Sequence, residues 1–169
     1  MNEKLFDYFF GFAYKYEILD ALVVFLGGPI FYIIVPLLIF FFFVLIKKKK
    51  KMYWFSLTFL IVFGSWFVSN ILKSLFKIPR PFERFLDVVP LSFADGFSFP
   101  SSHAAVFSAI AVLMYTYDKK TGILFWILAI LVSLSRIVQG VHTPVDILFG
   151  IGVGSLVAYF FVRLFRRAL

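Results

Sequence analysis

Long apolar runs separated by short charged breaks make up most of this chain. The runs cover about 21–46, 53–76, 101–117, 122–139 and 145–163. A helix needs roughly 20 apolar residues to cross about 30 Å of hydrocarbon, so each run reads as one transmembrane helix. Residues 3–17, EKLFDYFFGFAYKYE, mix aromatic with charged side chains, the pattern of a helix lying in the membrane interface. No internal repeat is evident, and no polar or low-complexity linker divides the chain. The expected architecture is therefore all-α. It is a polytopic membrane helix bundle of about five transmembrane helices plus an N-terminal interfacial helix, forming a single domain over 1–169.

Composition agrees with that pattern. Of 169 residues, 62% are hydrophobic and 26 are phenylalanine, and the mean hydropathy is +0.97. Typical soluble domains are about 45–50% apolar, so the natural solvent here is a bilayer. The net charge of +8 could point to nucleic acid, but its placement points elsewhere. KKKKK at 47–51 lies between two apolar runs, and RLFRR at 163–167 ends the last one. Such clusters mark topology and contact anionic lipid. Nucleic acid is not an expected partner. The chain has no cysteine, which excludes thiolate catalysis, disulfides and cysteine metal sites. The start, MNEKLFDYFF, is acidic where a secretory signal would be basic, so no removed targeting peptide is expected.

Loop charge orients the runs. In a five-span arrangement Lys47–Lys51, Lys119, Lys120, Arg163, Arg166 and Arg167 share one side, which the positive-inside rule makes cytoplasmic. The N-terminus, the 77–100 loop and the 137–144 turn are then external. Lys73, Lys77, Arg80, Arg84 and Arg136 lie on or near that external side, against the rule. Charges that defy topology need another reason to be there.

Three polar groups converge on that face. The first is KSLFKIPRP, 73–81. Lys73 and Arg80 are almost two helical turns apart, but Pro79 and Pro81 should end the helix and leave Arg80 on an extended segment. Taken alone, these cations could simply snorkel towards headgroups. The second group is PSSH, 100–103. Ser101 or Ser102 can cap the following helix, and the free amides at a helix N-terminus can also bind an anion. His103 would sit in that first turn, and an ionisable group within a membrane segment is a functional candidate.

The third is SRIVQGVHTPVD, 135–146. Gly140 allows a turn, and Thr143-Pro144 reads as an N-cap followed by proline at the first helical position. Asp146 suits a capping box with Thr143. It also lies four residues after His142, where a carboxylate could fix the imidazole tautomer and leave the other nitrogen as nucleophile or base. Cations, helix amides, two histidines and one aspartate at one depth suit phosphoryl transfer, which depends on positioning and charge stabilisation. On a membrane protein, the substrate is a lipid phosphate.

These three segments resemble the signature of the phosphatidic acid phosphatase type 2 family, relatives of the vanadium haloperoxidases. The signature's Lys-x6-Arg-Pro, Pro-Ser-Gly-His and Ser-Arg-x5-His-x3-Asp stand here as Lys73 to Pro81, Pro100 to His103 and Ser135 to Asp146. Ser102 replaces the usual glycine and brings a hydroxyl close to the phosphate. The resemblance implies that His142 attacks phosphorus and forms a phosphohistidine, oriented by Asp146. It implies that His103 protonates the leaving lipid oxygen and then activates water. Lys73, Arg80, Ser101, Ser102 and Arg136 would hold the phosphate. Neither metal nor other cofactor is implied.

Small bacterial relatives act on undecaprenyl diphosphate, phosphatidylglycerophosphate or lipid A 1-phosphate. The expected setting is the bacterial inner membrane, with the site on its external side. Two other function classes use the same residues. A phosphotransferase would pass the phosphoryl group to another lipid or sugar. A non-enzymatic headgroup-binding protein would have no need of the His142–Asp146 pair.

Overall fold

The computed structural model describes residues 2–45 and 51–165, which form eight helices and no strand. They are α1 (Asn2–Phe10), α2 (Glu17–Gly27), α3 (Pro29–Leu45), α4 (Lys51–Phe76), α5 (Pro81–Arg84), α6 (Ser102–Tyr117), α7 (Lys119–Val138) and α8 (Pro144–Phe165). The protein is an all-helical, multi-pass membrane protein. α4, α7 and α8 are each long and apolar enough to cross a membrane, and the bent pair α2–α3 makes a possible fourth crossing. α6 is apolar but shorter, at 16 residues. The five spans expected from the sequence include it.

Local chemistry explains most helix ends. α4 stops where Lys77 adopts a left-handed conformation, φ 48°, and donates its N–H back to Lys73 O. Arg80 then lies on extended backbone, φ −73° and ψ 159°, as the flanking prolines predicted. Ser101 caps α6 by accepting from Ala104 N at 3.4 Å. Asp118 ends α6 and starts α7, its carboxylate accepting from Thr121 N and Thr121 Oγ1 at 2.7 and 2.8 Å. Gly140 makes the turn before α8 with φ 76°. α8 begins with the reciprocal pair expected there: Thr143 N donates to Asp146 Oδ2 at 2.6 Å, and Asp146 N to Thr143 Oγ1 at 3.4 Å.

Two expectations need correction. The apolar run 21–46 is not one helix but α2 and α3, with 52° between Glu17–Gly27 and Tyr32–Leu38. Gly28 leaves helical geometry (φ −139°, ψ −82°), and Pro29 has no N–H to continue the ladder. The second concerns 3–17, where helix covers only Asn2–Phe10. Tyr14, at φ 62°, turns the chain, and its hydroxyl lies 3.2 Å from the carbonyl oxygens of both Val89 and Pro90. Residue 46, Lys47–Lys50 of the first basic cluster and Arg166–Arg167 of the second lie outside the described residues.

α6 is the central helix, packed against α4, α7 and α8. Ten of its residues are buried, so its moderately apolar sequence faces protein rather than lipid. The α6–α8 approach is close. A methyl group at Gly154 would run into Ala105 O and one at Gly150 into Ser101 O, so small residues let the two backbones meet. That contact sets the start of α6 beside the start of α8. A second apolar cluster of Phe6, Val88, Ala104, Ile137 and Ile147 closes the bundle at that end. On the outer surface Phe59, Leu124, Ile127, Leu148, Leu156 and Phe160 are half or more exposed, as befits a surface solvated by acyl chains.

Candidate active site

Where α4, α6 and the α7–α8 turn converge, a cavity of about 370 Å³ is lined by Lys73, Arg80, Ser102, His103, Arg136 and His142, among others. Six of the eight residues singled out from sequence therefore share one space. The other two stand behind it. Ser101 is fully buried, its hydroxyl occupied as the α6 cap and its N–H donated to Asp146 O at 3.0 Å. Asp146 lies behind His142.

His142 is 2% exposed. Its Nδ1 is 3.7 Å from Asp146 Oδ2, too long for a direct hydrogen bond. Ser98 fills the gap. Its hydroxyl lies 2.7 Å from Asp146 Oδ2 and 3.3 Å from His142 Nδ1. A hydroxyl has one hydrogen, and the short contact to a carboxylate claims it. The Ser98 lone pair then accepts from Nδ1–H. On the far side of the ring, Arg80 Nη1 stands 3.5 Å from Nε2. A guanidinium only donates, so both sides of the ring call for the same tautomer, with the Nε2 lone pair next to the cavity-lining guanidinium. Ser98 was missed by the sequence reading, although it sits two residues before Pro100.

Burial, together with the nearby Arg136, Lys73 and Arg80 cations, holds the His142 imidazole well below its usual value of 6.5; the neighbouring Asp146 carboxylate opposes this only in part. His142 is thus neutral, the protonation state that nucleophilic attack by an imidazole requires.

The cations are held by backbone. Arg80 donates from Nε to Gly96 O at 2.9 Å, from Nη2 to Asp95 O at 2.7 Å and from Nη1 to Val141 O at 3.1 Å. Its own N–H is fixed by Glu83 Oε2 at 2.8 Å. Lys73 Nζ donates to Phe97 O and Ser98 O at 2.7 and 3.0 Å. The 95–98 segment is therefore clamped by two cations, and this places Ser98. Arg136 uses Nη1 on Gly27 O at 2.6 Å and Gln139 Oε1 at 2.7 Å, while its Nε is buried without a partner. The Ser102 hydroxyl is likewise buried and unpartnered.

A second cavity of about 450 Å³ adjoins the first and shares Ala94, Ser102, His103 and Arg136 with it. Tyr32, Trp66, Phe93 and Val106 line much of the rest. Cationic and apolar spaces thus meet at Ser102 and His103. Among the described residues, no three of His, Asp and Glu stand close enough to hold a metal ion.

Comparison with known proteins gives the family and agrees with the fold. The PAP2 superfamily profile matches residues 53–169. Bacitracin transport permease protein BcrC of Bacillus licheniformis is 30% identical over 161 residues, covering 95% of this chain and 78% of its own. Undecaprenyl-diphosphatase BcrC of Bacillus subtilis is 26% identical over 165 residues, covering 96% and 83%. The crystal structure of Aquifex aeolicus LpxE superposes with a TM-score of 0.81 at 26% identity, covering 96% of this chain and 94% of that one. The profile match covers nearly all of α4, then α5 to α8, and with them the six residues named above as lining the first cavity, and the chain belongs to the PAP2 superfamily as a membrane-embedded lipid phosphate hydrolase.

Proposed function

We propose that this protein removes a terminal phosphate from a membrane lipid at the external face of the bacterial inner membrane, through a phosphohistidine on His142. One observation carries the reading. His142 is neutral, backed at Nδ1 by Ser98 and Asp146, and its Nε2 stands beside Arg80 in a cavity that three cations line.

Nε2 attacks phosphorus in line as the bond from phosphorus to the lipid-side oxygen breaks. That oxygen keeps the electron pair and takes a proton from His103. Lys73, Arg80, Arg136 and the Ser102 hydroxyl bind the charge that spreads over the phosphoryl oxygens. Ser101 contributes by capping α6 and so fixing its first turn. Water then attacks the phosphohistidine and gives its proton to His103, which releases inorganic phosphate and restores both histidines. Asp146 stabilises the imidazolium character that develops on His142.

The substrate class is a phosphorylated or diphosphorylated lipid. Undecaprenyl diphosphate comes first, supported by the relative of that activity, which matches over nearly the whole chain. Phosphatidylglycerophosphate and lipid A 1-phosphate follow. The test is phosphate release by purified protein in detergent with EDTA, using those three lipids and phosphatidic acid, with His142→Ala as control. Release that disappears in the variant supports the proposal. Release that persists in His142→Ala, or a phosphorylated acceptor lipid in place of free phosphate, overturns it.

A further inference from the structure

Gln139 is fully buried, yet it belongs to neither histidine nor cavity. Its side chain makes three hydrogen bonds to three separate parts of the protein. Nε2 donates to Val23 O at 2.6 Å. Oε1 accepts from Arg136 Nη1 at 2.7 Å and from Ser92 Oγ at 2.8 Å. Its orientation is unambiguous, because a carbonyl can only accept and a guanidinium can only donate. Its backbone carbonyl also accepts from Leu91 N at 3.1 Å.

One of the acceptors in this network exists because a helix is broken. Gly27 O is the carbonyl of the last residue of α2, where carbonyls have lost their partners and the helix dipole is negative, and Val23 O lies one turn before it. Had residues 21–46 formed one continuous helix, a following amide would have claimed Gly27 O. Instead Val23 O takes Gln139 Nε2 and Gly27 O takes Arg136 Nη1. Gly27 must also lack a side chain, since a methyl group there would collide with the Gln139 amide.

With Nη1 held by two acceptors, the other edge of Arg136, Nε with Nη2, is the one left for a ligand. That edge carries the parallel N–H pair that matches two phosphate oxygens, and its Nε has no protein partner. We infer that Gln139, together with the carbonyl-presenting break after α2, is a positioning device for Arg136 that fixes which edge of the guanidinium meets the phosphoryl group. This rests on the phosphatase reading above. It adds a residue that does not touch substrate and a function for the helix break.

Two variants test it by different routes. Gln139→Met keeps the volume and removes the hydrogen bonds. Gly27→Ala leaves Gln139 and Arg136 in place chemically but pushes the amide aside. Each should lower kcat/KM by on the order of 10–100-fold, the size of effect expected from misplacing a group that contacts the transition state. Each should weaken orthovanadate binding, followed by thermal shift, by a similar factor. The decisive readout is non-additivity. In an Arg136→Ala background, Gln139→Met should cost nothing further in kcat/KM or vanadate affinity, because the residue it positions has gone.

Near-normal kcat/KM and vanadate binding in both single variants would overturn the inference. So would a full additional loss in the Arg136→Ala background, which would mean that Gln139 acts on the fold alone. Vanadate binding needs no lipid turnover. If no lipid releases phosphate, the phosphatase reading fails while the Gln139–Arg136 coupling is still decided.

Discussion

His142 and Asp146 face each other across 3.7 Å, and the hydroxyl of Ser98 occupies the space between them. The carboxylate therefore acts on the imidazole largely through a serine. Ser98→Ala should lower kcat by about 10–100-fold with little change in KM, since it removes the group that fixes the tautomer and leaves the cations in place. Asp146→Asn should also lower kcat. It keeps an oxygen for Thr143 N and so should retain most thermal stability, whereas Asp146→Ala should lose the cap as well, worth about 1 kcal/mol. An Asp146→Asn variant that is less stable but fully active would reduce Asp146 to a helix cap.

The lowered proton affinity of His142 sets two pH limits. Its folded value lies below the usual 6.5, so with His142 as the proposed nucleophile the acid limb of kcat/KM that it causes should fall at a pH below 6.5, not at it. Stability has the matching sign. Below about pH 6.5 the unfolded chain takes up a proton that folded His142 refuses, so stability is present above that pH and lost as pH falls. The slope contributed approaches about 1.4 kcal/mol per pH unit for one proton. Thermal midpoints from pH 7 downwards should show a shallower acid loss in His142→Asn than in the natural protein. Equal slopes would mean that His142 protonates normally.

Arg80 spends its donors on three carbonyls while it also borders His142 Nε2. Lysine cannot reproduce that planar fork. Arg80→Lys should therefore lower kcat/KM on the order of 10²-fold or more, as loss of a transition-state donor does, while the protein still folds. Lys73→Met should act differently, by releasing the Phe97 and Ser98 carbonyls and with them the serine behind His142. Combined with Ser98→Ala it should be less than additive. Steady-state kinetics on the single and double variants distinguishes these outcomes.

The α6–α8 contact gives a stability test free of catalysis. Gly154→Ala places a methyl group against Ala105 O and should cost about 1–3 kcal/mol by overpacking. Gly152→Ala meets nothing within 4 Å and should be neutral or stabilise by up to about 1 kcal/mol through helix propensity. Thermal unfolding in one detergent compares them directly. Equal midpoints would refute the close approach.

The sequence was informative wherever a residue's chemistry conflicts with its surroundings. Basic side chains on the wrong side of the charge pattern led to Lys73, Arg80 and Arg136, and histidines at the mouths of apolar runs led to His103 and His142. Capping chemistry located the starts of α6 and α8, since Ser101, Thr143 and Asp146 satisfy amides only a few residues away. The break at Gly28 was harder to see. Hydropathy is blind to backbone geometry, and Gly27-Gly28-Pro29 interrupts an apolar run without changing its polarity. Ser98 and Gln139 escaped for another reason. Their partners are 48 and 116 residues away at the farthest, and an uncharged hydroxyl or amide carries no signal until the fold brings those partners together.

The brevity of α6 has a consequence for kinetics. Its 16 residues extend about 24 Å at about 1.5 Å per residue, less than the roughly 30 Å of hydrocarbon around it. Were Tyr117 level with one headgroup plane, the first turn carrying Ser102 and His103 would stop short of the other. The proposed reacting groups would then be recessed, and a lipid would meet them by diffusing sideways within its own leaflet. The concentration that governs turnover would be two-dimensional. Diluting the substrate with inert lipid at constant bulk amount should slow the enzyme, and adding water to the same vesicles should not.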